Sequence, residues 1–379
     1  MTAPIVLAAG GTGGHVFPAQ ALAEELLSRG HVLALVTDRR GADIGGALAR
    51  IDRYLVRAGT LGSGGLGSAV GGLTNVVAGI FQARSLLRRL RPRAVIGFGG
   101  YPSLPTMLAA ARLKIPAAIH EQNAVLGRVN RLLASRVRVI ATSFSDTRGL
   151  TAPNRHKASL TGNPVRPEVA AARSQEYAAP RNGGPINILV AGGSQGASVL
   201  SEVVPAALAK LPPRLRARTQ VTQQCRPEDL AGVRQAYDAT GISADLCPFI
   251  EDLAVKLAAA HIAIVRAGAS TVAELVVIGC PAVLVPYPFA TDDHQAYNAR
   301  ALADADAAWI MPQGEFDAGR LSALLVSLVT EPDRLEAAAA AARGLGRPDA
   351  SARLADLVTG LIGANGGHGA QNAARGVAA

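Results

Sequence analysis

Residues 5–15 read IVLAAGGTGGH, and their pattern is the strongest indication of the type of fold. Its first five residues form a short, uninterrupted apolar run, which is typical of a parallel strand buried on both faces. A glycine-rich loop follows, and an amphipathic segment then extends from about Pro18 to Arg29. Another apolar run at residues 32–37 predicts the next strand. The order of strand, glycine loop, helix and strand predicts a Rossmann-like unit.

The same plan returns in the second half of the chain. Residues 186–191 predict a buried strand, and a second glycine-rich loop, GGSQGA, occupies residues 192–197. The preceding residues 168–185 show no clear period and predict a linker. Further strands are expected at residues 94–98, 117–120, 137–141, 220–224, 262–265, 282–286 and 309–311. This alternation of strands and helices predicts a mainly parallel sheet in each half.

These patterns predict an α/β protein of two Rossmann-like domains with mainly parallel sheets. The two sheets are expected to face a central cleft, because ligands bind at the carboxyl ends of such strands. We expect an N-terminal domain at residues 1–165 and a C-terminal domain at residues 166–345. Residues 346–362 predict a final helix that could pack back on the N-terminal domain. The Gly/Ala-rich tail, residues 363–379, is expected to be disordered.

The composition suits two packed domains in a reducing compartment. Of the 379 residues, 49% are hydrophobic, which allows a core in each half. The three cysteines lie far apart and form no C-x-x-C pair, so neither a disulfide framework nor a thiolate metal site is expected. The N-terminus lacks the basic and apolar regions of a signal peptide, and no uncharged run is long enough to span a membrane.

The net charge of +10 is unevenly distributed. Residues 1–165 carry 20 Lys/Arg and 7 Asp/Glu, whereas residues 166–379 carry 18 and 21. The basic first half could therefore contact nucleic acid, an anionic membrane or a phosphate-bearing substrate. Because the sequence has no RNA-binding signature and no zinc finger, nucleic acid is the least favoured of the three and is not predicted as a partner.

Each glycine-rich loop joins a strand to a helix, where backbone N–H groups and the helix dipole attract an anion. The first loop is not a complete dinucleotide fingerprint, since Val16 stands where the third glycine belongs, and it is not a Walker loop. A tight turn for helix packing would explain either loop alone. Two loops at equivalent points of a repeated plan favour a phosphate-bearing ligand.

A third cluster, RAGASTVAE at residues 266–274, follows an apolar run and opens another helix. Its glycine turn again offers helix N-terminal amides to an anion. Glu274 lies about one turn into this helix, where a carboxylate can accept two hydrogen bonds from a ribose diol. The alternative is a first-turn glutamate that complements the helix dipole.

Polar groups also follow first-half strands, at residues 98–101 (FGGY) and 120–123 (HEQN), and NPVR at residues 163–166 marks the domain junction. We expect these groups at the cleft, with Arg166 neutralising phosphate. Loop capping and a solvated linker arginine are the alternatives. The acidic clusters near residues 292 and 304 supply no convergent ligands, so no metal site is predicted.

Taken in order, these motifs resemble the MurG family of GlcNAc transferases of peptidoglycan synthesis, which has the GT-B fold. The resemblance covers about residues 4–360 and departs from the family at Ala267 and Ala296. It rests on residues 10–18, 98–101, 120–123, 163–166, 192–197, 266–274 and 294–299. It implies inverting transfer of GlcNAc from UDP-GlcNAc to the C4 hydroxyl of the MurNAc of lipid I. The product would be lipid II, formed by a peripheral protein at the cytoplasmic face of the cell membrane.

The resemblance also implies residue roles. Gln295 would recognise the sugar, Ile250 would flank the uracil, and Glu274 would bind the ribose hydroxyls. From the N-terminal side of the protein, the donor would be contacted by Thr12, Gly13, Gly14 and Asn123. Arg166 and Ser194 would serve the diphosphate. The ribose and phosphates would be wrapped by Ala269, Ser270, Thr271, Val272, Ala273 and Glu274.

His15 is the candidate general base, because it follows the first glycine loop and its ordinary pKa suits proton removal at neutral pH. The alternative is that His15 only orients the loop or a phosphate. Helix N-termini and Arg166 would stabilise the leaving group, so the mechanism requires neither a metal nor a cofactor. Two rival functions are a dinucleotide oxidoreductase, for which Asp38 would bind the ribose, and a non-enzymatic nucleotide-sugar-binding scaffold.

Residues 73–90 predict a helix with two adjacent apolar stripes. The core stripe contains Val76, Ile80, Ala83, Leu87 and Leu90. The second begins at Val77 and Phe81 and leads into Arg84 and Arg88. An apolar edge rimmed by arginines suits binding to an anionic membrane surface. An ordinary Rossmann helix with a solvated basic face is the alternative.

Overall fold

The computed structural model describes residues 3–10, 13–39, 45–59, 66–181, 183–193 and 196–373, with only the helical backbone described at residues 66–73 and 364–373. The chain divides into two compact units. Unit 1 comprises Met1–Arg166 and Asp349–Ala379, and unit 2 comprises Pro167–Pro348. Thr12 and Ser194, two of the predicted donor-binding residues, lie outside the described residues.

All strand pairs in the two sheets are parallel. The strands of unit 1 are β1 Ile5–Ala8, β2 Leu33–Thr37, β3 Asp52–Leu55, β4 Ala94–Gly97, β5 Ala117–Glu121, β6 Val139–Thr142 and β7 Ala158–Leu160. Those of unit 2 are β8 Ile186–Ala191, β9 Thr219–Gln224, β10 Ser243–Cys247, β11 Ile262–Val265, β12 Ala282–Leu284 and β13 Ala308–Ile310. Their spatial orders are β3-β2-β1-β4-β5-β6-β7 and β10-β9-β8-β11-β12-β13.

Helices connect and cover the strands. In unit 1 the first five are α1 Gly13–Ser28, α2 Leu66–Leu90, α3 Gly100–Arg112, α4 Arg128–Leu133 and α5 Ala152–Arg155. In unit 2 they are α6 Pro167–Ala172, α7 Ser198–Ala209, α8 Pro213–Arg216, α9 Leu230–Asp238, α10 Leu253–Ala259, α11 Ala269–Ile278, α12 His294–Ala303, α13 Ala318–Thr330 and α14 Pro332–Leu345. The last helix, α15 Ala350–Ala373, belongs to unit 1. Among the described residues, none of these helices combines the length and the apolar character that crossing a membrane requires.

The sheet of unit 1 is buried on both faces, as its uninterrupted apolar strands predict. On β1, Ile5 and Leu7 face a core layer formed with α1 and α15, whereas Val6 and Ala8 face the opposite layer with α2 and α3. Side chains alternate across a strand, so one four-residue run supplies both cores. In unit 2, the sheet packs against α7 and α13 through a comparable apolar cluster.

The C-terminal helix α15 packs against α1 within unit 1. Its apolar stripe is fully buried or nearly so, and it comprises Leu354, Ala355, Val358 and Leu361. Arg29, which directly follows α1, forms an exposed ion pair with Asp356 beside this stripe. The helical backbone of α15 continues to Ala373, into the segment that the sequence predicts to be a disordered tail.

Residues 168–185 do not form the linker that the sequence predicts. It begins within α6, which packs against α10 and α11. Arg173 then donates hydrogen bonds to Val277 O at 2.7 Å and to Arg343 O at 3.0 Å. Because both acceptors are carbonyl groups in the last turns of α11 and α14, the arginine joins the chain after α6 to the ends of these two helices. The segment is therefore part of unit 2.

The sequence patterns did not predict three of the strands, namely β3, β7 and β10. Each lies at an edge of its sheet. Their residues are largely exposed or half-buried, so these strands lack the apolar run that marks a central parallel strand. The sequence DRYL of β3 illustrates the point, since three of its four residues are exposed.

Candidate functional site

In unit 1, the polar motifs lie at the carboxyl ends of three neighbouring strands. Strand β4 pairs in parallel with both β1 and β5, so the loops that follow these strands lie at one edge of the sheet. The structure brings His15, at the start of α1, within 3.2 Å of Gln122, which follows β5. The sequence motifs at residues 10–18 and 120–123 therefore meet in space.

A buried chain of hydrogen bonds extends inward from His15. The Nδ1 atom of His15 lies 3.2 Å from Gln122 Oε1, and Gln122 Nε2 lies 3.0 Å from both Phe98 O and His120 Nδ1. His120 Nε2 in turn lies 3.1 Å from Gly162 O. Gln122 and His120 are almost completely buried. Burial lowers the pKa of His120 to about 4, against a smaller raising effect of its bond to Gly162, so this ring is neutral at pH 7.

Glu121 organises the loop that carries Asn123. One carboxylate oxygen accepts a hydrogen bond from Asn123 N at 3.0 Å. The other accepts from Gly127 N and from Asn130 Nδ2, both at 2.8 Å. A buried carboxylate is tolerated where several donors satisfy it, and here the donors fix the path of residues 121–127. Glu121 therefore positions the loop, a role that the sequence motif alone did not assign.

Arg166 lies in unit 1, at the end of the first long segment of that unit. Its guanidinium carbon lies 5.9 Å from the centroid of the Phe17 ring on α1. Phe17 also packs over Gly13, where an added Cβ would come within 2.9 Å of the ring. Arg166 thus lies beside the start of α1 and the described end of the first glycine loop.

In unit 2, a buried amide fixes the turn before α11. Asn298 on α12 is completely buried, and its Nδ2 donates to Ala267 O at 3.0 Å. Gly268 then caps α11 with an extended backbone, so the amides of Ala269 and the following residues open the helix. Within the described part of the chain, Ser270 Oγ is buried but has no hydrogen-bond partner. An oxygen of a bound ligand could satisfy this hydroxyl group.

Arg266, the first residue of the third motif, has a structural role. Its guanidinium donates to Val285 O at 3.0 Å, to Pro286 O at 3.2 Å and to Gln313 Oε1 at 2.7 Å. It also lies 5.5 Å from the centroid of the Tyr287 ring. Arg266 therefore fixes the loop that leaves β12, a long-range contact that sequence patterns do not reveal.

Gln295 contacts the same loop. Its Oε1 accepts a hydrogen bond from Tyr287 N at 3.0 Å, across eight positions in sequence. This bond orients the side chain that the sequence analysis assigned to sugar recognition. Gln295 and Asn298 lie on one helix, so α12 holds the loops after both β11 and β12.

Glu274 differs from expectation in its surroundings. It is the sixth residue of α11, beyond the first turn, so the alternative of a glutamate that complements the helix N-terminus is excluded. Only 7% of Glu274 is exposed, so its side chain is almost completely enclosed within unit 2. Ile250, the residue predicted to flank a base, is likewise buried, beside the exposed Phe249.

The other predicted donor-binding residues differ in how far they are buried. Val272 and Ala273 face the interior, whereas Thr271 and Gly14 are half-buried. In the described ranges, no three His, Cys, Asp or Glu side chains lie close enough together to hold a metal ion.

The sequence motifs did not predict the positioning roles of Gln122, Asn130 and Asn298. Their signal lies in contacts between distant segments, which periodicity does not show.

Comparisons with known proteins place both units in one family. Residues 5–142 match the glycosyltransferase family 28 N-terminal domain, and residues 187–354 match the C-terminal domain of the same family. A relative from Rhodospirillum centenum is 57% identical over 365 residues, which cover 96% of each chain. One from Paramagnetospirillum magneticum is 57% identical over 94% of this chain and 96% of its own. Both are named UDP-N-acetylglucosamine–N-acetylmuramyl-(pentapeptide) pyrophosphoryl-undecaprenol N-acetylglucosamine transferase.

A solved structure agrees with these relatives. The crystal structure of Acinetobacter baumannii MurG superposes with a TM-score of 0.77 at 31% sequence identity, and the match covers 94% of this chain and 99% of that one. The glycosyltransferase of kitacinnamycin, at 17% identity and a TM-score of 0.69, shares the fold. The predicted GT-B class of two Rossmann-like units is confirmed.

The buried His120 predicts a specific pH dependence of stability. Its folded-state pKa of about 4 lies below the ordinary 6.5, so the unfolded chain takes up a proton first as the pH falls. Between pH 6.5 and 4, this residue should remove about 3 kcal/mol from the free energy of unfolding. Urea unfolding of wild type and His120→Gln across this range measures the contribution as a difference in slope.

The exposed His156, in the same unit, provides the matched control. His120→Gln should show a shallower pH dependence than both wild type and His156→Gln. Equal slopes for all three proteins would show that His120 is not held neutral by burial.

Proposed function

The chain belongs to glycosyltransferase family 28, and from this premise we propose that it transfers GlcNAc from UDP-GlcNAc to the C4 hydroxyl of the MurNAc of lipid I. The products are lipid II and UDP. The observation that carries this proposal is the 57% identity, over 96% of both chains, to a transferase named for this donor sugar and this acceptor. The resemblance to the MurG family that the motifs indicate is thereby confirmed.

The donor's nucleotide is assigned to unit 2. The amides that open α11, with Ser270 and Thr271, bind the phosphates through the positive end of the helix. Glu274 accepts hydrogen bonds from the ribose hydroxyls, and Ile250 flanks the uracil. Gln295 binds the sugar from the loop that its own bond to Tyr287 fixes. Ala269, Val272 and Ala273 supply the backbone and packing of this site.

The reacting groups are assigned to unit 1. His15 accepts the proton of the C4 hydroxyl as that oxygen attacks C1 of GlcNAc and the C1–O bond to UDP breaks. One displacement of this kind inverts the anomeric centre. Arg166 adds positive charge near the start of α1, and the proposed donor contacts there are Thr12, Gly13, Gly14 and Asn123. Ser194 is assigned to the diphosphate.

Turnover tests the proposal directly. We expect the protein to convert labelled UDP-GlcNAc and a lipid I analogue into a GlcNAc-MurNAc product with one UDP released per transfer. The product's β-linkage, read by NMR, reports inversion of the α-linked donor. Release of UDP without transfer to the acceptor, or oxidation of a nicotinamide cofactor, would contradict it.

Glu274 provides a test of the donor site. If its carboxylate binds the ribose diol, Glu274→Ala should weaken UDP binding by about 1.5–3 kcal/mol, the usual contribution of a hydrogen bond to a charged group. Because Glu274 is buried, the variant also risks a change in packing, so the ligand is varied as well. Calorimetry should show that 2′,3′-dideoxy-UDP binds wild type more weakly than UDP does, but binds Glu274→Ala about as well as UDP. An equal loss on removing the diol in both proteins would exclude this role.

For location, we propose that unit 1 binds the cytoplasmic face of the cell membrane through α2. The buried stripe of this helix includes Val76, Ala83 and Leu87. On its other side, Val77 is 45% exposed and Phe81 is 65% exposed. These two side chains form an apolar edge that can enter the interfacial layer of a bilayer.

Neighbouring groups extend this edge. Arg84, one turn beyond Phe81, is half-buried, and Arg88, two turns beyond it, is exposed. Arg57 N donates to Gln82 Oε1, which places the chain after β3 beside α2, and the exposed Leu55 ends β3. An apolar edge with adjacent arginines combines burial with attraction to anionic lipid, and the first 165 residues carry the excess of positive charge.

Vesicle binding tests this surface. Arg84→Glu/Arg88→Glu should reduce binding to anionic vesicles at least about tenfold, since each arginine near such a surface contributes roughly 1 kcal/mol. Wild-type binding should fall steeply with added salt. Transfer to a short, water-soluble acceptor should survive the double change.

The matched control changes net charge equally at another place in unit 1. Arg136→Glu/Arg155→Glu replaces two exposed arginines near the β7 edge of the sheet, away from α2. It should bind vesicles nearly as wild type does. Equal losses in the two double variants would show that only overall charge matters.

A further inference from the structure

We infer that Gln122 holds His15 in the tautomer that carries its ring proton on Nδ1, so that Nε2 is the atom that accepts the proton of the sugar hydroxyl. Gln122 is a positioning residue in this account, because it acts through His15. The inference rests on the proposed role of His15 as the base. The hydrogen-bond chain behind His15 determines the assignment.

The orientation of the Gln122 amide follows from its neighbours. Its Nε2 lies 3.0 Å from Phe98 O and 3.2 Å from His120 O. Carbonyl oxygens only accept hydrogen bonds, so the amide atom that faces them must be the NH₂ group. A flipped amide would place an oxygen against both carbonyls in a site that is 99% buried.

The fixed amide determines the tautomer of His15. Gln122 Oε1 lies 3.2 Å from His15 Nδ1 and is an acceptor only. Nδ1 must therefore carry the hydrogen. In a neutral imidazole, the other nitrogen then holds the lone pair, so the basic atom is Nε2.

His120 fixes the direction of donation along this series of hydrogen bonds. The Gly162 carbonyl accepts from His120 Nε2, so Nδ1 of the neutral ring accepts from Gln122 Nε2. His120 stays neutral because burial lowers its pKa to about 4. Each hydrogen bond in the series that leads from His15 through Gln122 and His120 to Gly162 O therefore has one possible donor.

Two glycines fix the plane of the His15 ring. Gly99 and Gly100 have φ angles of 83° and 70°, which side chains rarely adopt. An added Cβ at Gly100 would lie 3.2 Å from His15 Cδ2 and 3.4 Å from Nε2. The ring packs directly against this backbone turn. A neutral amide behind it sets the tautomer without placing a negative charge beside the base.

The experiment compares a substitution that keeps the hydrogen-bonding capacity of residue 122 with one that removes it. Gln122→Glu, as a buried carboxylic acid, keeps an oxygen that can accept from Nδ1–H and a hydroxyl that can donate to Phe98 O. Gln122→Met has a similar volume but offers no such acceptor. ¹⁵N NMR of the histidine rings reports the tautomer, and His15→Gln identifies the His15 signal.

We expect wild type and Gln122→Glu to show neutral His15 with the proton on Nδ1, and Gln122→Met to lose this preference. The kcat of Gln122→Met should fall at least about tenfold, while KM for UDP-GlcNAc stays near wild type. A wild-type ring protonated on Nε2 would overturn the inference, whether or not either variant folds. So would a Gln122→Met protein that keeps both the Nδ1–H tautomer and the full kcat. Full activity of His15→Gln would instead refute the proposed base and would leave the tautomer result standing.

Discussion

Main-chain carbonyl groups at the buried carboxyl ends of parallel strands must find hydrogen-bond donors, and this requirement shapes both units. Strands buried on both faces end where no water can satisfy the last peptide groups. In unit 1, Gln122 and Asn130 donate to Phe98 O and His120 O. In unit 2, Arg266 donates to the carbonyls of residues 285 and 286, and Asn298 donates to Ala267 O. The side chains that satisfy these groups also determine where the loops lie.

This arrangement suits catalysis because the positions of the reacting and binding groups are set before a ligand arrives. Loops held by buried amides and guanidinium groups lose little conformational freedom on binding. The electrostatic groups of a transferase stabilise a transition state best when they need no reorganisation. Contacts of this kind hold the turn before α11, the loop after β12 and the ring of His15. The proposed donor and base sites are therefore built from the same kind of interaction.

The sequence predicts the parts of this design that arise from local patterns. Apolar runs predicted the central strands, and the two glycine loops indicated the strand ends that matter. The edge strands β3, β7 and β10 escaped, because exposed strands lack the continuous apolar signature. The contacts of Arg266 with residues 285, 286 and 313 could not be foreseen, because they join segments separated by about 20 to 50 positions. The burial of Glu274 likewise depends on tertiary packing, which helical spacing alone does not reveal.

If buried donors fix the ligand-binding loops, the loss of the Asn298 amide should loosen the turn before α11. This amide holds Ala267 O from a completely buried position, so Asn298→Leu removes the bond while keeping the number and branching of the side-chain heavy atoms. The decisive measurement is calorimetric UDP binding to wild type and Asn298→Leu, with hydrogen exchange at the amides of α11. The account predicts that Asn298→Leu remains folded, exchanges faster at the first turn of α11 and binds UDP at least about tenfold more weakly. A folded Asn298→Leu protein with wild-type UDP affinity would contradict it.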